Sequence, residues 1–159
     1  MATLPNDMLT TAELLASVKP PLGSAALRRS VSTAYYALFS RLAALCAGRI
    51  ARAKASSDSF KSVYRAIDHG PARNALLGHA EFGSPLGDSF KRLQEARHWA
   101  DYSIDPHPDA EIAAAGRRFK RSEAQRFVAL AREAIGFVDA LAPDAKQRLA
   151  VLLVARPRR

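Results

Sequence analysis

Between Leu27 and Leu45 the apolar residues recur at helical spacing. Leu27, Val31, Ala34, Leu38, Leu42 and Leu45 form one continuous stripe, and Tyr35, Tyr36 and Phe39 widen it. Two further stripes have the same period: Leu86, Phe90, Leu93 and Ala100, then Phe127, Leu130, Ala131, Ala134, Val138 and Leu141, broadened by Val128 and Ile135. No segment alternates apolar and polar residues as a half-buried strand does, and no internal repeat is present. The pattern predicts an all-α, up-and-down bundle of four to five main helices with short helical additions. With 159 residues the chain reads as one domain over 1–159, with its core over about 23–141 and a basic tail over 154–159.

Local signals set the expected boundaries. Thr10-Thr11-Ala12-Glu13 reads as a capping box opening a helix to about Val18, which Pro20-Pro21 stops. Gly23-Ser24 opens the longest helix, and Gly48 marks its end or a bend. Ser56-Ser57-Asp58 caps a third helix with Phe60, Val63, Tyr64 and Ile67 on its apolar side. His69-Gly70-Pro71 terminates it, placing His69 at a helix end where a charged imidazole suits the dipole. Ala72 to His79 reads as a short helical turn and Glu81 to Pro85 as loop. Ser84 before Pro85 then caps the next helix, which Pro106 and Pro108 end. Residues 103–121 read as an arm. Ser122-Glu123-Ala124-Gln125 is a second capping box, and Pro143 starts a last helix carrying Leu149, Leu152 and Leu153.

Composition narrows the function classes. No run of about 18 apolar residues exists to span a membrane, and no basic-then-apolar leader pattern opens the sequence. The lone Cys46 sits on an apolar helix, which suits a core residue and a cytoplasmic protein. His69, His79 and His107 do not form a zinc-ligand spacing with Cys46, so neither metal nor cofactor is expected. No phosphate-cradling glycine loop and no Ser-His-Asp order stands out. The net charge is +9, and 18 of the 24 basic residues are arginine. No acid occurs between Glu13 and Asp58, a span that contains Arg28, Arg29, Arg41, Arg49, Arg52 and Lys54. Arg117, Arg118, Lys120 and Arg121 form a second basic cluster, and Arg156, Arg158 and Arg159 a third. Such a balance attracts polyanions, although a GC-rich coding sequence produces the same enrichment.

Gly87 to Asp105 holds the most unusual chemistry. Arg92 and His98 are separated by five residues, with Arg97, Asp101 and Tyr102 beside them. On a helix, His98 and Tyr102 share a face, as do Arg97 and Asp101. Arg92 and His98 are six apart and diverge by roughly 120°. One straight helix therefore does not converge them on one phosphate, and a second copy of the chain is one way to complete the site.

Two segments together resemble a known family. Leu27 to Phe39, with its Ala34-Tyr35-Tyr36-Ala37-Leu38-Phe39 core, is similar to the first long helix of HEPN domains. Arg92-x5-His98 fits that family's Arg-x(4–6)-His motif, and Ala96-Arg97-His98-Trp99-Ala100-Asp101-Tyr102 looks like its Arg-x-x-Ala-Asp-Tyr signature. The resemblance spans roughly Gly23 to Leu141. It implies a homodimer that is either a metal-independent endoribonuclease of toxin or defence type, or a non-catalytic module binding RNA, a nucleotide or a protein. A nucleotidyltransferase-type antitoxin is the partner it implies. Carried over by position, His98 would move the proton of a ribose 2′-OH and Arg92 would hold the phosphate. Arg97, Asp101 and Tyr102 would support them, and Arg28, Arg29, Arg117, Arg118, Lys120 and Arg121 would contact nucleic acid. Two departures keep a structural reading open. Leu93 stands after Arg92 where catalytic members carry a polar residue, and Arg97 rivals Arg92 as the motif arginine.

Overall fold

The structure, a computed structural model, describes residues 3–19, 23–103 and 120–155. Among them are seven α-helices and no strand: α1 (Leu4–Ser17), α2 (Gly23–Ile50), α3 (Asp58–Arg65), α4 (His69–Leu77), α5 (Asp88–Tyr102), α6 (Arg121–Ala140) and α7 (Pro143–Val154). The all-α bundle read from the sequence is the fold. No helix among the described residues is long and apolar enough to cross a membrane.

Helix α2 is the axis of the bundle and packs against α1, α3, α5, α6 and α7. Val31, Ala34, Tyr35, Ala37, Leu38, Leu42, Ala43, Cys46 and Ala47 are all fully buried, so apolar contact extends around much of its circumference. Burial pushes the Cys46 thiol up to about 12 and leaves it a core group. The stripes predicted for α5 and α6 are also where the core lies. Leu86, Phe90, Leu93 and Ala100 are buried, as are Val128, Ala131, Ala134, Ile135 and Val138. In α6 the seam is shifted slightly, leaving Phe127, Leu130 and Leu141 half-buried.

Several predicted boundaries move. Helix α1 starts at Leu4, so Thr10 and Thr11 lie within it and donate to the Asn6 and Asp7 carbonyls. Glu13, freed from a cap, pairs with Arg132 on α6. Gly48 lies inside α2, which runs on to Ile50. Ser57 does cap α3, its hydroxyl accepting from the Phe60 N–H at 3.2 Å, but α3 ends at Arg65, before His69. His69 instead begins α4, the element predicted as a turn from Ala72. Ser84 lies within a π-helical turn over Gly83–Gly87 that leads into α5, so it caps nothing. Helix α6 begins one residue before Ser122, with Glu123 Oε2 accepting from the Lys120 N–H at 2.7 Å. Most of the predicted arm, the Pro20-Pro21 stop and the arginines after Ala155 lie outside the described residues.

The π turn seats α5 against α4 through bare backbone. A Cβ on Gly87 would meet Leu77 N at 3.0 Å and the Leu76 carbonyl at 3.1–3.2 Å, atoms that cannot swing away. Gly48 has open space around it. We therefore expect opposite effects from the same substitution in urea unfolding. Gly87→Ala loses about 1–3 kcal/mol by overpacking, whereas Gly48→Ala gains roughly 0.5–1 kcal/mol from helix propensity.

Candidate functional site

Helix α5 joins α2 through two arginines. The guanidinium of Arg97 is wedged between side chains of both helices. Its Nη2 donates to Tyr36 Oη at 2.7 Å and approaches Tyr102 Oη at 3.5 Å. Its Nε lies 3.0 Å from Asp101 Oδ2 as an ion pair, although the N–H does not point at that oxygen. The guanidinium carbon sits 5.3 Å from the Tyr36 ring centroid and 5.4 Å from that of Tyr102, within cation–π range. Burial disfavours the charge, but the Tyr36, Tyr102 and Asp101 oxygens outweigh it and hold the pKa of Arg97 above its ordinary value. Asp101 also accepts from the Ser32 hydroxyl at 3.1 Å and faces Arg29 at 3.8 Å.

The second arginine, Arg28, closes the C-terminal end of α5. Its Nη1 donates to the carbonyls of Ala100 at 3.0 Å and Ser103 at 2.7 Å, with Trp99 O at 3.4 Å. Its guanidinium carbon lies 4.5 Å from the Trp99 ring centroid. Trp99 O also accepts the Ser103 N–H at 3.0 Å, and the carbonyl end of α5 carries the partial negative charge that a guanidinium suits.

Two clefts flank this joint. One, of about 580 Å³, is lined by Arg73, Gln94, Arg97, His98, Trp99 and Tyr102 among others. The other, of about 460 Å³, is lined by Arg28, Arg29, Tyr36, Arg97, Asp101 and Tyr102 among others. Arg97 and Tyr102 belong to both, so a basic and aromatic surface wraps the C-terminal half of α5. Tyr102 is 66% exposed and packs on His98, with ring centroids 5.1 Å apart. His98 is exposed, so it faces the cleft without being held by the core.

The structure thus brings together Arg97, His98, Asp101, Tyr102, Arg28 and Arg29, all named from the sequence. It separates Arg92, which is exposed, lines neither cleft and has no hydrogen bond or ion pair among the described residues. Lys120 and Arg121 are exposed at the start of α6, while Arg117 and Arg118 lie outside the described residues. Sequence reasoning missed Arg73, which α4 brings to the cleft and pairs with Glu95 at 3.6 Å. It also missed Tyr36 as the hydroxyl partner of Arg97. Neighbours on a helix point about 100° apart, so Tyr35 in the apolar stripe puts Tyr36 toward its edge, the one signal the doublet holds.

Behind the cleft a buried tyrosine meets a half-buried histidine. Tyr35, with no exposed surface, has its hydroxyl 2.5 Å from His69 Nδ1, and the imidazole lies tilted against Phe39 with ring centroids 4.0 Å apart. The expected charged imidazole at a helix C-terminus is not what forms. His69 opens α4, where the dipole opposes positive charge, and burial together with Arg97 lowers its pKa below the ordinary 6.5, with Asp68 partly offsetting them. Burial also raises the pKa of Tyr35, a shift that Arg97 partly opposes.

No protein-family model, curated protein or solved structure matches this chain. The HEPN resemblance therefore rests on its residues alone. Among the described residues no group of three or more His, Cys, Asp or Glu side chains is placed to hold a metal.

Two outcomes follow for stability. Arg28→Ala leaves the α5 carbonyls without their charged donor, and we expect a loss of about 2 kcal/mol in chemical unfolding. For His69 the folded state favours the neutral ring and the unfolded state takes up the proton first. Its contribution is therefore complete above pH 6.5 and declines as pH falls through the lowered folded pKa. The melting temperature of the wild type should drop more steeply below pH 6.5 than that of His69→Gln, which cannot titrate; parallel profiles would contradict this.

Proposed function

We propose that this protein is a HEPN-like module that binds RNA or a nucleotide in the groove around the C-terminal half of α5. One observation carries the reading: Arg97 and Tyr102 are common to two clefts that also contain Arg29, Arg73, Tyr36 and His98. Guanidinium groups supply phosphate contacts, and an exposed Tyr102 ring offers a face on which a base stacks. Arg97 fixes the groove floor, whereas Arg29, 73% exposed, and His98 are available to a ligand.

The catalytic alternative is favoured by a different feature, the exposure of His98 at the cleft with only Tyr102 against its ring among the described contacts. In that reading His98 of one copy takes the 2′-OH proton and Arg92 of a second copy holds the phosphate. The divergence of the two residues on α5 requires a homodimer for this chemistry. Cleavage would leave a 2′,3′-cyclic phosphate. The toxin-type setting and a nucleotidyltransferase-type partner belong to this alternative.

The test is incubation of the purified protein with a labelled single-stranded RNA in EDTA, following binding and cleavage together. Groove binding requires salt-sensitive affinity that falls about tenfold or more in Tyr102→Ala and in Arg29→Ala. Cleavage that survives EDTA and disappears in both His98→Ala and Arg92→Ala selects the ribonuclease. Absence of both binding and cleavage overturns the proposal.

A further inference from the structure

A second surface lies at the other end of α2. Ile50 is fourteen residues beyond Tyr36, about 21 Å along a helix axis, and no residue there lines either α5 cleft. The end of α2 and the last turns of α7 flank a shallow, open groove of about 560 Å³, lined by Arg49, Ile50, Arg52, Gln147, Val151 and Val154 among others. Its walls carry apolar side chains in contact with water: Ile50 is 37% exposed and Val151 52%. Its polar residues are Arg49, Arg52 and the neutral Gln147, with no carboxylate among those lining it.

These cations differ from their neighbours. Arg41 pairs with Asp139, Arg132 with Glu13 and Arg148 with Glu81. The side chains of Arg49, Arg52 and Lys54 make no hydrogen bond or ion pair among the described residues. Arg52 is also held at φ 48°, a left-handed conformation that favours glycine, immediately after Ala51 closes the helix with a 3.0 Å bond to the Ala47 carbonyl. The fold therefore places, beside an exposed apolar strip, an arginine that pairs with no carboxylate among the described residues.

Each class of occupant meets this chemistry differently. A second copy joined face to face would set Arg49 and Arg52 against their own counterparts in a chain of net charge +9. A nucleic-acid backbone would satisfy the arginines and leave Ile50 and Val151 in water. An anionic bilayer needs a wider basic and apolar face than two arginines beside Ile50 and Val151 present. An acidic amphipathic segment answers both halves, with carboxylates for the arginines and apolar side chains for Ile50, Val151 and Val154. We propose that this end of the bundle is a docking groove for such a segment of a partner protein.

The test uses a short fluorescein-labelled helical peptide with leucines on one face and glutamates elsewhere, read by polarisation at low and high salt. Controls are the same peptide with serine for leucine, the same peptide with lysine for glutamate, a single-stranded oligonucleotide, and phosphatidylserine vesicles. The expected result is salt-sensitive binding of the acidic leucine peptide and of neither control peptide, weakened about tenfold or more in Val151→Asp and in Arg52→Gly, two substitutions that leave any oligonucleotide binding at the α5 groove unchanged. Arg52→Gly should melt no lower than the wild type, because glycine relieves the left-handed backbone, so its loss of binding is a loss of charge and not of fold. The proposal is overturned if the acidic peptide does not bind, if the serine peptide binds equally, if both variants bind as the wild type does, or if oligonucleotide or vesicle binding is what Val151→Asp and Arg52→Gly weaken.

Discussion

Burial on nearly every side of α2 is the constraint from which the rest of the structure follows. A helix with so many fully buried positions has no broad polar face, so other helices must surround it. The polar groups it does carry inside need partners there. Ser30, fully buried, donates to the Ala12 carbonyl of α1 at 2.7 Å, and Ser32 donates to Asp101 of α5. Ser40 approaches the Met8 sulfur at 3.7 Å. Each bond ties α2 to a particular neighbour in a particular register, where apolar contact alone would tolerate sliding.

The seam between α2 and α5 shows the same logic applied to charge. Arg97 is only 17% exposed along its side chain, yet it keeps its charge because Tyr36, Asp101 and Tyr102 converge on it. Arg28 runs the other way, from α2 to the carbonyl end of α5. The two arginines cross-link the helices in opposite directions and leave Tyr102, His98 and Arg29 facing solvent. The clefts here thus have a floor fixed by the Arg97 contacts and walls open to solvent.

How much was legible follows from the range of each interaction. The stripes of α2, α5 and α6 recur every three or four residues, so periodicity exposes them, and Arg97 with Asp101 sits at an i,i+4 spacing that any helix brings together. Thr10 and Thr11 misled because a hydroxyl can bond a carbonyl one turn back as readily as it can cap. His69 misled because Gly70-Pro71 stops one helix and equally suits the first turn of the next. Arg28 on α5, Arg73 at the cleft and Tyr35 with His69 are contacts between distant stretches of chain, and no local pattern announces them. The divergence of Arg92 and His98, by contrast, follows from helix geometry alone, and Arg92 indeed lines neither cleft.

Arg97 works as a joint between α2 and α5 through the Tyr36 hydroxyl. A double-mutant cycle of Tyr36→Phe and Arg97→Met, each measured by urea unfolding, addresses it directly. A coupling energy of about 1–2 kcal/mol is the expected result for a partly buried, charge-assisted bond. Additivity within about 0.3 kcal/mol would contradict the account, since it would mean that the two side chains contribute to the fold independently.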